Sequence, residues 1–349
     1  MNDTSTSRNG GIFRGLLLWF FFALGLLTLI YPRFAGHSLF PVYEIEKLTS
    51  FRWFLIPFVY LYSYATRAWG ALLFAFSLGG ILVAFLPREK MKKYMSSGKI
   101  TAYFLAAGLA PLLTVCSCAM IPIFGGLLIS GVGLGPALTF LLMAPASNIL
   151  ALIFTAELIS WKIMLVRLVF SFFGAMLIGK LVSMTSIGKK TEQEFAQIKP
   201  LQAENDRRVL TFWRKSEIGL KETGALASKV LLYLAAGVFI ISFVEAYLPP
   251  TLVARYLTGV KGVLIGAIIG VPTYTPTLVE VFLIKAMLNM GMAPAAALAF
   301  LIGAPMASIP SMMAVSKVVG WKLVLMYASF AIVLAALAGL FYLEFIVIL

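Results

Sequence analysis

The sequence is poor in nearly everything a soluble enzyme uses. Of 349 residues only 12% are charged, where a soluble domain carries roughly 25%. There is one histidine, His37, and there are two cysteines, Cys116 and Cys118. Two thiols one residue apart are no disulfide framework, and no third Cys or neighbouring His is at hand to close a tetrahedral metal site. A Walker-type phosphate loop is missing, so the chain brings no ATP hydrolysis. Dyad alternation in segments of about 10 residues is also missing, which argues against a β-barrel.

What is abundant is apolar sequence. Hydrophobic residues make up 61% of the chain, in several long uncharged runs, and this predicts an all-α polytopic membrane protein. The net charge of +14 would suggest nucleic acid in a soluble protein. Here most Lys and Arg sit in short loops between apolar runs. They read as orientation signals and headgroup contacts, and no nucleic-acid partner is expected.

In chain order, Arg8 and Arg14 precede an apolar run at 15–31. It has no small-residue cleavage pattern, so it reads as a retained first helix with its N-terminus inside. The aromatic stretch 53–64 reads as interfacial and external, and 71–86 as a span. Residues 88–99 carry Arg88, Lys90, Lys92, Lys93 and Lys99 against Glu89, so this loop is expected in the cytoplasm. Residues 100–130 are free of charge. As one helix they would be about 46 Å long, but Pro111, Pro122 and Cys116-Ser117-Cys118 break them, and a re-entrant hairpin follows. The segments 134–158, interrupted at Pro145, and 161–184 read as spans. The polar stretch 187–223 reads as a cytoplasmic linker. Then come spans at 226–248, 263–290 with a second prolyl break at 270–277, 295–317 with Pro305 and Pro310, and 321–349.

Residues 131–167 align without gaps on 291–327. Eleven of 37 positions are identical, among them Pro145/Pro305 and Trp161-Lys162/Trp321-Lys322. The expected organisation is therefore an N-terminal helix with an external segment (1–69), a first transmembrane repeat (70–186), a cytoplasmic linker (187–225) and a second repeat (226–349). If each hairpin turns back, each half crosses three times and the halves are inverted, the architecture of secondary transporters. Parallel halves with every segment spanning are the alternative, and they would violate the charge rule.

Candidate site residues gather at the breaks. On an extended segment Cys116 and Cys118 share a face and offer two soft sulfurs to trivalent arsenic, Cu(I) or Zn(II). The alternative is two buried thiols acting as small hydrophobes. The second break supplies Thr273, Tyr274, Thr275 and Thr277. Glu280 is a carboxylate in mid-segment and a candidate proton relay, or else a partner of Lys285. Ser147 and Asn148 in one half, with Ser308 and Ser311 in the other, follow the interrupting prolines and either line a pathway or bond helices together. Met306, Met312 and Met313 read as core.

Four motifs carry a resemblance: Cys-Ser-Cys-Ala-Met-Ile-Pro at 116–122, Phe-Leu-Leu-Met-Ala-Pro-Ala-Ser-Asn at 140–148, Val-Pro-Thr-Tyr-Thr-Pro-Thr-Leu-Val-Glu at 271–280, and the run 297–312. They resemble the ArsP-type predicted permeases. The resemblance implies an inner-membrane permease without enzymatic activity or cofactor, and efflux of trivalent organoarsenicals. Some relatives are associated with copper or zinc export. A linker without Cys or His favours the organoarsenical. The site it implies is Cys116, Ser117, Cys118, Ser147, Asn148, Tyr274, Thr275, Thr277, Ser308 and Ser311 for substrate, with Glu280 for the proton. Export of a soft metal or sulfur metabolite remains the alternative, and a membrane thiol oxidoreductase stands behind it. The partners expected are the bilayer and a small thiophilic substrate, with a second copy of the chain left open.

Overall fold

The computed structural model describes residues 15–28, 55–85, 90, 93–112, 117–197, 212–247, 256–271, 273 and 279–345. At a few helical positions, Ser117 and Cys118 among them, the backbone is described but not the side chain. The described residues are helical, without strands. Five helices or broken helices among them are long and apolar enough to cross a membrane: Leu134–Leu158, Trp161–Met184, Lys215–Ile240, Pro294–Val319 and Trp321–Phe345. The protein is a polytopic all-α membrane protein.

The helices are α1 (Gly15–Thr28), α2 (Ile56–Phe85), α3 (Ile100–Leu109), α4 (Ser117–Ile129), α5 (Leu134–Ala146), α6 (Ile149–Leu158) and α7 (Trp161–Met184). There follow α8 (Ser186–Gln197), α9 (Phe212–Tyr247), α10 (Gly259–Gly270), α11 (Val279–Asn289), α12 (Pro294–Met306), α13 (Ile309–Val319) and α14 (Trp321–Phe345). The sequence separated 53–64 from 71–86, but residues 56–85 are one helix. Nothing between Tyr64 and Ala71 breaks it, since a lone Gly70 in a helix costs only about 1 kcal/mol.

The repeat is visible in the backbone. The α5–α6 and α12–α13 breaks fall at equivalent positions, and α7 and α14 both begin at a Trp-Lys pair. Helices α4 and α11 end in the same Schellman turn. Gly131 (φ 89°) and Gly291 (φ 105°) take the left-handed conformation. Val132 N donates to Leu127 O, and Met292 N to Met287 O, each at 3.0 Å. The contacts exchange between equivalent helices of the repeats: α4 touches α13, and α11 touches α6. The α5 and α12 rods meet each other, and α7 meets α14.

Both hairpins return to their starting point. Gly133 N donates to Met95 O at 2.8 Å, so the segment from 100 to 130 begins and ends at one level. In the second half Ala293 N donates to Leu257 O at 2.9 Å. At the base of the first hairpin the Ser97 hydroxyl meets the Glu192 carboxylate at 2.9 Å, which joins the basic loop to the helix that opens the linker. Trp19, Phe85 and Phe212, far apart in sequence, cluster in space with ring centroids 5.3–6.0 Å apart. The starts of α1 and α9 and the end of α2 therefore share one level.

Small residues set the closest approach. A Cβ on Gly126 of α4 would lie 2.7 Å from the Gly79 carbonyl of α2, so these helices pack backbone to backbone. The broken rods form the centre. Of the most apolar window, 89% is buried for Pro294–Val319 and 72% for Leu134–Leu158, against 44% for Trp321–Phe345. Met306 and Met312 lie in this core, as the sequence suggested.

Candidate functional site

Proline cannot donate to a carbonyl four residues back. Pro145 and Pro305 fall in the last turn of α5 and α12, and each rod stops within two residues. The freed backbone is then capped locally. Asn148 Oδ1 accepts from Leu150 N at 3.0 Å. Ser308 N donates to Ser311 Oγ at 3.2 Å, and the Ser311 hydroxyl donates to Ser308 O at 2.8 Å. Three of the four candidates at these breaks are thus capping residues of α6 and α13, not bonds between helices. Ser147 is different: its hydroxyl is buried and has no hydrogen-bond partner among the described residues.

The break in the first half is held by a residue the sequence reading passed over. Arg167, in the second turn of α7, is 0% exposed. Its Nε donates to Ala146 O at 2.8 Å, at the end of α5. Its Nη1 donates to Thr155 Oγ1 at 3.2 Å, on α6 beyond the break. Its Nη2 donates to Glu280 Oε1 in the first turn of α11. One guanidinium therefore spans the break and pairs across the two halves. Glu280 is 1% exposed and its second oxygen, Oε2, has no partner among the described residues.

Glu280 therefore pairs with Arg167 and not with Lys285, which makes no ion pair among the described residues. Five residues along a helix is the wrong spacing for a shared face. The helices packed on α11 are α6 and α12. Helix α12 has no charged residue, and Glu157 of α6 is exposed. Among the described residues Arg167 is the charge paired with Glu280. Arg167, seven residues into a span whose two lysines lie nearer its ends, was the available signal, because such a charge is expensive and pairs inside the bundle.

The second break is only partly described. Thr273 Oγ1 donates to Ile269 O at 3.0 Å and Gly270 O at 2.9 Å, which ties off the end of α10. Tyr274, Thr275 and Thr277 lie outside the described residues, as do Cys116 and His37. Cys118 was expected on an extended segment, but α4 begins at Ser117, so its backbone is helical. Pro122 sits inside α4 instead of ending it. A proline one turn into a helix loses a single hydrogen bond, here to the Cys118 carbonyl. The side chains of Ser117 and Cys118 lie outside the description. Among the described residues no cluster of His, Cys, Asp and Glu could hold a metal ion.

The chain is 30% identical to the UPF0718 protein MJ0584 of Methanocaldococcus jannaschii, over 77% of this chain and 90% of that protein. It is 24% identical to the UPF0718 protein YraQ of Escherichia coli K12, over 74% of this chain and 72% of that one. No solved structure matches. The family model described as a predicted permease, ArsP_1, matches residues 58–343. The chain belongs to this ArsP-type family of predicted permeases.

Proposed function

We propose that this permease is a secondary active exporter of trivalent organoarsenicals in the cell (inner) membrane. The observation that carries the transport reading is the Arg167–Glu280 pair. It is buried among apolar helices, it joins the two halves, and it sits on a helix break. A buried ion pair is poor value for stability, and ionisable groups inside membranes mark pathways and proton relays. The halves are inverted in this reading, and they rock about the two broken rods. Glu280 gains a proton in one half of the cycle and loses it in the other. While it is neutral, Arg167 is released from its partner in the opposite half.

The arsenical is supported by the resemblance and by Cys116 and Cys118, whose soft sulfurs suit trivalent arsenic. Ser117, Tyr274, Thr275 and Thr277 complete the pathway, with Ser147 at the first break. The N-terminus and residues 187–225 face the cytoplasm. The charges of 88–99 and the Ser97–Glu192 contact support that orientation.

The test is uptake of methylarsenite into everted membrane vesicles, with wild type, Cys116→Ser, Cys118→Ser and Glu280→Gln side by side. Accumulation lost in both cysteine variants at unchanged protein level is the expected result. Glu280→Gln should abolish the dependence on an imposed proton gradient. Wild-type uptake equal to empty vesicles refutes the assignment and moves the search to copper, zinc and sulfur metabolites.

A further inference from the structure

We propose that Arg167, Glu280, Ser147 and Ser171 form a binding site for a hydroxyl group of the substrate, the As–OH of a trivalent arsenical. This rests on the export reading above and names the group recognised. It starts from hydrogen-bonding capacity left unmet. Among the described residues three buried side-chain atoms have no partner: Ser147 Oγ, Ser171 Oγ and Glu280 Oε2. Each belongs to a residue linked to Arg167, by a bond, by helix register or through the chain. Glu280 is its ion-pair partner. Ser171 follows Arg167 by four residues on α7, so the two share a helix face. Ser147 is joined to Ala146, whose carbonyl accepts from Arg167 Nε.

Buried polar groups find partners in the large majority of cases, and each one left unmade is costly. Three such atoms scattered through the bundle would carry no message. Linked in this way to one guanidinium at a helix break, they point to a ligand that supplies the missing bonds.

The donor and acceptor inventory narrows that ligand. Arg167 and Glu280 together are neutral. An anion would meet the carboxylate and a cation the guanidinium, so the bound group is uncharged. An ionised Glu280 Oε2 only accepts, so the ligand must donate. The serine hydroxyls can donate as well as accept, so a ligand that also accepts uses them fully. A hydroxyl does both. Hydrated trivalent organoarsenicals are neutral and carry one or two As–OH groups beside an apolar substituent. Thiols capture arsenic by exchange, each new As–S bond releasing the hydroxyl as water with the thiol proton. The hydroxyl site therefore holds the cargo before that exchange, or after water reverses it.

Ser171→Thr and Ser171→Val have the same shape and differ by one hydroxyl, so a packing defect affects both alike. Uptake of methylarsonous acid is followed in everted vesicles containing the full chain. Ser171→Val should raise KM about three- to tenfold over Ser171→Thr, the factor for one lost hydrogen bond. Ser147→Ala, which adds no atom, should raise KM over wild type by a similar factor. Equal KM for the Thr and Val variants, with Ser147→Ala like wild type, overturns the hydroxyl site while export stands. No uptake by the wild type overturns the export reading, and this proposal falls with it.

Discussion

Replacing Glu280 by leucine strips the counter-ion from a guanidinium that is 0% exposed. Removing one partner of a buried pair costs about 3–5 kcal/mol. Arg167→Leu should cost about the same, because it leaves the carboxylate with neither oxygen partnered and also frees the Ala146 carbonyl. Thr155 suffers less, since its hydroxyl still donates to Ala151 O at 2.6 Å. If the effects were independent, the double variant would lose about 6–10 kcal/mol. It should lose far less, about 1–3 kcal/mol, because two apolar side chains replace the pair and only the Ala146 bond is missed. The assay is reversible unfolding of the four proteins in mixed micelles. A double variant matching the sum of the singles within about 0.5 kcal/mol refutes the pairing. Vesicle uptake adds a second readout. The stable double variant should move no substrate, and wild-type transport by it would make the pair purely structural.

Two further outcomes follow from backbone geometry. Gly131→Ala and Gly291→Ala should each destabilise by about 1–2 kcal/mol, because both residues hold positive φ in the same turn; Gly108→Ala, a helical site with nothing within 4 Å of a new Cβ, should show no loss in the same unfolding experiment. Gly126→Ala should cost about 1–3 kcal/mol and lower uptake, since its Cβ would press on the Gly79 carbonyl at 2.7 Å and drive α4 off α2; unchanged stability and transport would refute the backbone-to-backbone packing.

Much of the scaffold could be read from local signals. The prolines at 145 and 305 and the matched Trp-Lys pairs located the breaks and the repeat, because both act through the chain's own backbone. The charge-free run at 100–130 announced its return through simple length. The long helix through 69–70 was missed because aromatic composition was weighed above the lack of a breaker. The Arg167–Glu280 pair was missed for another reason. Its members are 113 residues apart, and no local pattern links them. Lys285 was the nearer cation in sequence, but helix geometry turns it to another face. The capping bonds of Asn148, Ser308 and Ser311 were not foreseen, since capping and pathway lining use the same residue types.

At the position equivalent to Arg167, the second repeat carries Tyr327, buried at 1% exposure. The duplicated scaffold thus holds one keyhole instead of two. A guanidinium in both halves would create rival latches and need a second carboxylate to balance it. With a single cation, the break of the first half is spanned by its own Arg167, whose counter-ion is borrowed from the second half, and the reverse does not hold. One half serves as the lock and the other carries the bolt, so a backbone of near-equal halves has an unambiguous direction of control.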